Sequence, residues 1–210
     1  MLSLGASSIP PALKYLKLFG VKVVVDDNDS ILSQTLNTFR NLVNKDSIVI
    51  EYHWNSFNAK STGVETLVPE NPSEFERNLA EKISATISKT LNIPLRGKKG
   101  VKTESESQHK RLGWMRLNGE NILVEVCFIS NPNDMESYQK NKDTLAKNLA
   151  LVIKEATEEY DNYHKRDTYT VQVGDSLTKI ATKFKTTVTK IKVDNKLSSD
   201  LIKVGQKLNL

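Results

Sequence analysis

A chain of 210 residues, 38% hydrophobic and 26% charged, has room for one medium domain and a small one, with the composition of an ordinary globular protein. No apolar run approaches the ~18 residues that cross a bilayer, and the opening MLSLGASSIPPALKYLK lacks a basic stretch ahead of an apolar core, so neither a membrane span nor a signal peptide is expected and cytoplasmic synthesis is. A single cysteine, Cys127, excludes an internal disulfide framework, and the net charge of +5 resides in residues 169–210, which hold 8 Lys against 3 Asp while the remainder balances 22 basic with 22 acidic residues.

The first part alternates helices and strands. Leu13, Leu16 and Phe19 have helical spacing, with Gly20 as a stop, and VKVVV (21–25) is a short apolar strand. After the polar turn DDNDS, Leu32, Leu36, Phe39 and Val43 mark one face of a helix. SIVIEY (47–52) and GVETLV (63–68) read as strands, and Phe75, Leu79, Ile83, Ile87 and Leu91 as the stripe of a long helix. RGKKGVKTESESQHKR (96–111) has no apolar period. ILVEVCF (122–128) is a strand, SNPND (130–134) a turn cluster, and Leu145, Leu149, Val152 and Ala156 a last helix. The pattern predicts an α/β fold, a mostly parallel sheet with helices on both faces.

The polar stretch DNYHKRDT (161–168) reads as a linker between a domain over 1–160 and a second over 169–210. In the second, YTV (169–171) and KLNL (207–210) are terminal strands. Leu177, Ile180, Ala181 and Phe184 make one helix, and Val188 and Ile191 another with Thr187 as N-cap. The order is βααβ. Its basic charge fits an anionic partner, a nucleic acid or a bacterial wall polymer, or solubility alone.

Two residues stand out chemically. Glu125 sits inside the apolar run Ile122 to Cys127. A buried carboxylate has a raised pKa, which suits a general base; the plainer reading is a carboxylate that reaches solvent or a lysine. His53 follows the strand 47–52, and ligand sites of open α/β sheets gather at the carboxyl ends of strands. A lone histidine is ordinarily hydrogen-bonded structure, since zinc sites take three or four protein ligands. Cys127 reads as a core thiol.

Taken together, HWNSFNAKSTGVET (53–66), RGKKGVKTESESQHKRLGWMR (96–116) and ILVEVCFISNPND (122–134) resemble the zinc-dependent N-acetylmuramoyl-L-alanine amidase family of the type called amidase 3. The family's "SIHxN" strand end places a zinc-binding histidine at His53 and its asparagine at Asn55. Its "GxET" strand matches 63–66, its "RGxK" segment follows the long helix, and its "VExxFxSNxxD" strand and turn place the catalytic glutamate at Glu125. The resemblance covers roughly residues 12–160. It implies zinc as cofactor and cleavage of the amide joining N-acetylmuramic acid to L-alanine of the peptidoglycan stem.

The family's first zinc ligand, a histidine in a Gly-His-Gly-Gly-like turn, and its second, a glutamate near the first helix, have no counterpart here. No His or Glu precedes Glu51. The chain starts about where that helix should, so the family's first strand and turn are expected to be missing. His109 and His164 lie in the wrong segments, and Glu51 and Glu65 read as salt-bridged or solvated. Three explanations remain open: a shortened amidase, a degenerate amidase fold kept for wall binding or structure, or ligands from another chain.

Residues 169–210 are similar throughout to a LysM domain, through "YTVxxGDSLxxIAxxF", "Asn-x-Leu" and "IxxGQxLxL". The resemblance implies binding of N-acetylglucosamine-containing glycans in a groove between two loops, Gly174, Asp175, Ser176 and Leu177 with Asn195, Lys196, Leu197 and Ser198. For Leu177 and Leu197, core packing is the competing reading. Peptidoglycan is the expected partner. Nucleic acid is not, because the tail has no Arg and few aromatics for stacking. The expected site of action is the bacterial cell wall, as suits a bacteriophage lysin or virion component.

Overall fold

The computed structural model describes residues 2–4, 10–25, 32–107, 110, 112–164, 168–195 and 197–210, and divides into two compact units, 1–157 and 158–210. The first unit is built on a six-stranded sheet of order β2-β1-β3-β6-β4-β5, with β1 Leu2–Leu4, β2 Val23–Val25, β3 Ile48–Asn55, β4 Glu65–Val68, β5 Val101–Thr103 and β6 Glu120–Phe128. Strands β2, β1, β3 and β6 are parallel, β4 runs antiparallel to β6, and β5 is parallel to β4. Residues 121–124 and 126–128 of β6 are all buried, as in a strand covered on both faces.

Helices α1 Pro10–Leu18, α2 Leu32–Leu42, α3 Glu74–Leu91 and α4 Pro132–His164 fall between or after these strands. Helix α1 buries Ala12 and Leu16 and stops in a Schellman end. There the Gly20 N–H donates to Lys17 O and the Val21 N–H to Leu16 O, with Gly20 at φ 75°. Leu36 and Phe39 of α2, with Val43 just beyond it, pack against Val49, Trp114 and Leu117. Ser73 and Glu76 cap α3 reciprocally, and its face of Leu79, Ile83, Ile87 and Leu91 is buried.

Four features depart from the sequence reading. A strand, β1, precedes α1 and lies between β2 and β3, so the first strand is not missing. Residues 5–9, GASSI, still bring no His or Glu. Strand β3 runs on through His53 to Asn55. Strand β5 lies within the stretch without apolar period; at three residues, of which Val101 alone is buried, it is too short to show one. Helix α4 begins at Pro132, inside the presumed turn cluster. Asn131 Oδ1 accepts from the Asn133 and Asp134 N–H groups, and the residue types that make turns also cap helices.

In the second unit, β7 Thr168–Thr170 pairs antiparallel with β8 Lys207–Asn209 around α5 Leu177–Lys183 and α6 Val188–Asp194. Val171, Leu177, Ile180, Ala181, Ile191, Leu208 and Leu210 form its core. Ser176 and Thr187 cap the two helices by accepting from the Lys179 and Lys190 N–H groups. Of the presumed linker, 161–164 are helical as the end of α4, 165–167 lie outside the described residues, and Thr168 starts β7. Among the described residues no helix is long and apolar enough to cross a membrane.

Candidate active site

Strand polarity assembles the site. β3 and β6 run side by side, and His53 is the register partner of Glu125. β4 arrives from the opposite direction, so its first residue, Glu65, pairs with Glu125 from the other side. Paired residues share a face of the sheet. Glu125 is thus flanked by His53 and Glu65, in the lining of a cleft of about 480 Å³ that also includes Asn55, Arg96, Lys102 and Phe128. The position matches the rule that ligands bind beyond the carboxyl ends of parallel strands.

Burial raises the Glu125 pKa to about 7; His53 pulls it down, and the Glu65 and Glu51 charges push it up. Its Oε2 is buried with no hydrogen-bond partner among the described residues. His53 Nε2 lies 2.8 Å from Glu51 Oε1, and the ring is 46% exposed. That hydrogen bond holds the imidazole pKa above its ordinary value, against the opposing effect of burial.

Glu65 is 7% exposed and fully engaged. Its Oε2 accepts from Arg96 Nε at 2.9 Å and Lys102 Nζ at 2.6 Å, and its Oε1 from Asn55 Nδ2 at 3.1 Å. The Arg96 guanidinium also sits 4.9 Å from the Phe128 ring centroid. Glu65 therefore anchors two cations beside Glu125. Sequence reading left Arg96 and Lys102 unassigned, though the "RGxK" match fell on that segment.

The SNPND segment locks this arrangement. Asp134, 2% exposed, accepts from Phe128 N–H at 3.0 Å, Gly63 N–H at 3.3 Å and Thr62 Oγ1 at 2.5 Å. One carboxylate thus ties the end of β6 to the loop before β4. Gly63 is required there: its φ is 111°, and a Cβ would stand 2.6 Å from Pro94 O.

The family model described as N-acetylmuramoyl-L-alanine amidase matches residues 11–155. The chain belongs to this amidase family. Its fold is similar to that of an N-acetylmuramoyl-L-alanine amidase from Neisseria meningitidis, at TM-score 0.57 and 20% identity over 72% of this chain and 92% of that one. Cwp6 from Clostridium difficile gives TM-score 0.59 and 18% identity over 74% and 29% of the two chains. The catalytic domain of CwlV, an amidase from Bacillus (Paenibacillus) polymyxa, gives 0.53 and 17% over 77% and 97%. A LysM domain model matches residues 169–210. There the chain is 55% identical over 42 residues to the cell wall-binding protein YocH of Bacillus subtilis, a match spanning 20% of this chain and 15% of that protein.

The amidase unit does not by itself fit the zinc that its family resemblance implies. Among the described residues no group of three or more His, Cys, Asp or Glu side chains could hold a metal ion. His53 is bonded to Glu51, Glu65 is taken by two cations, and a zinc site takes three or four ligands. His109 lies outside the described residues. Cys127 is fully buried, its thiol pushed up to about 12 by burial and then by Asp134.

In the LysM unit, Leu177 is 2% exposed and belongs to the core, so its side chain packs instead of facing a ligand. Leu197 is half-buried against the same core. Asp175 Oδ2 accepts from Tyr169 OH and Gln172 N–H, each at 2.7 Å. Asn195 donates to Ile191 O and Asn209 O and accepts from Asn209 N–H, tying α6 to β8. Gly174, Ser176 and Ser198 are exposed, and Lys196 lies outside the described residues. The two loops share no hydrogen bond among the described residues. Polar backbone at 174–176 and 198 is what remains open to a ligand.

Proposed function

We propose that this chain is a peptidoglycan amidase held at its substrate by the LysM domain, hydrolysing the amide between N-acetylmuramic acid and L-alanine. The observation that carries the reading is Glu125, a carboxylate set between His53 and Glu65 at the cleft, with its pKa raised to about 7 by burial. Near neutral pH such a group exists in both protonation states, as a general base that turns acid within one cycle requires. Glu125 takes a proton from water as the water oxygen bonds to the amide carbonyl carbon. It then returns the proton to the leaving nitrogen as the C–N bond breaks, giving a lactyl carboxylic acid and the free amine of L-alanine. Arg96 and Lys102 add positive potential where negative charge develops on the carbonyl oxygen.

Zinc enters this reading through the family resemblance, with His53 as the described residue it assigns. The further ligands must come from outside the groups described. The LysM unit supplies anchoring through the polar backbone left open at 174–176 and 198. Tethering raises the effective concentration of the cleft at an insoluble wall.

The test is release of stem peptides from purified peptidoglycan, with zinc content per chain measured by elemental mass spectrometry. The Glu125→Gln variant is expected to lose about 10²–10⁴-fold in release while wall binding stays intact. Equal release by wild type and variant would overturn the role of Glu125. No release by the wild type, with or without added zinc, would leave a wall-binding protein with an amidase fold.

A further inference from the structure

Glu125 does not stand at the end of its cleft, which extends from it in two directions. One way lie Leu67 of β4 and Lys102 of β5, then Glu106 and Ser107. Because β4 is antiparallel to β6 and β5 is parallel to β4, this arm follows β6 back toward its amino end. The other way, past the carboxyl end of β3, lie Ser56, Phe57 and Ser61. The two arms differ in chemistry. The first carries the ionic side chains of Lys102 and Glu106. The second carries two neutral hydroxyls and an aromatic ring.

Phe57 is 70% exposed, and its ring has no aromatic or cationic partner among the described residues. A single exposed apolar side chain is ordinary on a protein surface. This one lines the cleft that holds Glu125, and its backbone is braced by the neighbouring strand exit. The Ile129 N–H donates to Asn55 O at 2.8 Å. The Phe57 N–H donates to Ser130 Oγ, and that hydroxyl donates to Asn58 O, each at 3.2 Å. The segment leaving β3 is thus tied to the segment leaving β6. A ring with two rotatable bonds on a braced backbone loses little freedom when a ligand meets it.

We infer that Phe57 is the platform for the pyranose ring of N-acetylmuramic acid, so that the substrate lies across Glu125 with its sugar toward Phe57 and its peptide toward β4 and β5. The inference deepens the amidase reading and rests on it. The amide to be cut joins a neutral sugar to a peptide that bears carboxylates, and the neutral arm suits the sugar. The C–H bonds on one face of a pyranose form an apolar, slightly positive surface, complementary to the negative face of an aromatic ring. The lactyl ether sets the scissile carbonyl a few bonds from the pyranose, so ring and amide must share one cavity, as Phe57 and Glu125 do.

The test is calorimetric titration of the full chain carrying Glu125→Gln, so that ligand is not consumed, with a muramoyl dipeptide and with the D-lactoyl dipeptide that lacks the sugar. The muramoyl ligand is expected to bind about tenfold more weakly when Phe57→Ala is added. The lactoyl ligand should bind with and without Phe57→Ala alike, which also shows that the variant's cleft is folded. Phe57→Trp should keep the muramoyl affinity. The LysM unit is the same in every variant, so the difference reports on the cleft. A muramoyl affinity unchanged by Phe57→Ala would overturn the inference, as would failure of that ligand to bind. A loss shared equally by the lactoyl ligand would overturn it too, by placing the peptide at Phe57. These outcomes are separable from the amidase reading. Stem-peptide release by wild type with no dependence of muramoyl binding on Phe57 sinks the platform alone, and Phe57-dependent muramoyl binding without release sinks the catalysis alone.

Discussion

Replacing Glu125 by glutamine should stabilise the amidase unit, and by an amount that depends on pH. The folded-state pKa of Glu125 is raised from 4.5 to about 7, chiefly by burial. The folded protein therefore holds the proton more tightly than the unfolded chain. Stability from this group is fully present below pH 4.5 and is lost as pH rises through about 7. A tenfold change in proton affinity is ~1.4 kcal/mol. Ionised Glu125 thus costs roughly 3 kcal/mol at pH 8.5 and less than about 1 kcal/mol at pH 5. Glutamine has the same shape and no charge, so Glu125→Gln should gain about 2 kcal/mol more over wild type at pH 8.5 than at pH 5. Urea unfolding followed by tryptophan fluorescence, with a chelator present, reads this directly. Trp54 and Trp114, the chain's two tryptophans, both lie in the amidase unit. An increment equal at the two pH values would refute the reasoning, because it would mean that burial does not penalise the Glu125 charge.

Asp134→Ala removes an acceptor of three hydrogen bonds and strands the Gly63 and Phe128 N–H groups. A loss of about 3 kcal/mol or more is expected by urea unfolding, partly recovered in Asp134→Asn. Gly100→Ala forces a left-handed alanine at φ 82° against Ser84. It should cost about 2–4 kcal/mol, seen as a lower Tm of the amidase unit. In the LysM unit, the Gln172 N–H and then the Tyr169 hydroxyl hold the Asp175 pKa below the usual carboxylate range. The order this gives loop 172–175 is present above the unfolded pKa and is lost as pH falls through the folded one. Ring resonances of Tyr169 should shift in that acid window in wild type and stay fixed in Asp175→Asn.

The sequence showed Glu125 because it interrupts an apolar strand, where a charge must be explained, and His53 because it stands at the carboxyl end of one. It showed most helices because their buried faces repeat every three or four residues. What it hid depends on distance along the chain. Glu65 meets Arg96 and Lys102 across separations of 31 and 37 residues, and no local pattern links them. Strand β5 and the first turns of α4 went unread because one is too short and the other too polar to show a period. For Leu177 the resemblance points to the groove and the spacing with Ile180 and Ala181 points to the core, and the side chain lies in the core. The missing zinc ligands were legible as an absence of His and Glu before residue 51, and the strand at Leu2–Leu4 does not alter that.

The reversal of chain direction at β4 has a consequence for what the loop 56–64 can tolerate. Exposed polar loops ordinarily accept insertions and deletions. Here the loop delivers the first residue of an antiparallel strand to Glu125. A one-residue slip would turn Glu65 to the opposite face of the sheet and release Arg96 and Lys102 together. Outside Thr62, Gly63 and Val64, which Asp134 and the core hold, the loop's length, more than its composition, is therefore the quantity under constraint. A library varying residues 56–60 should keep many folded members with the cleft intact, whereas one varying the loop's length by single residues should keep few.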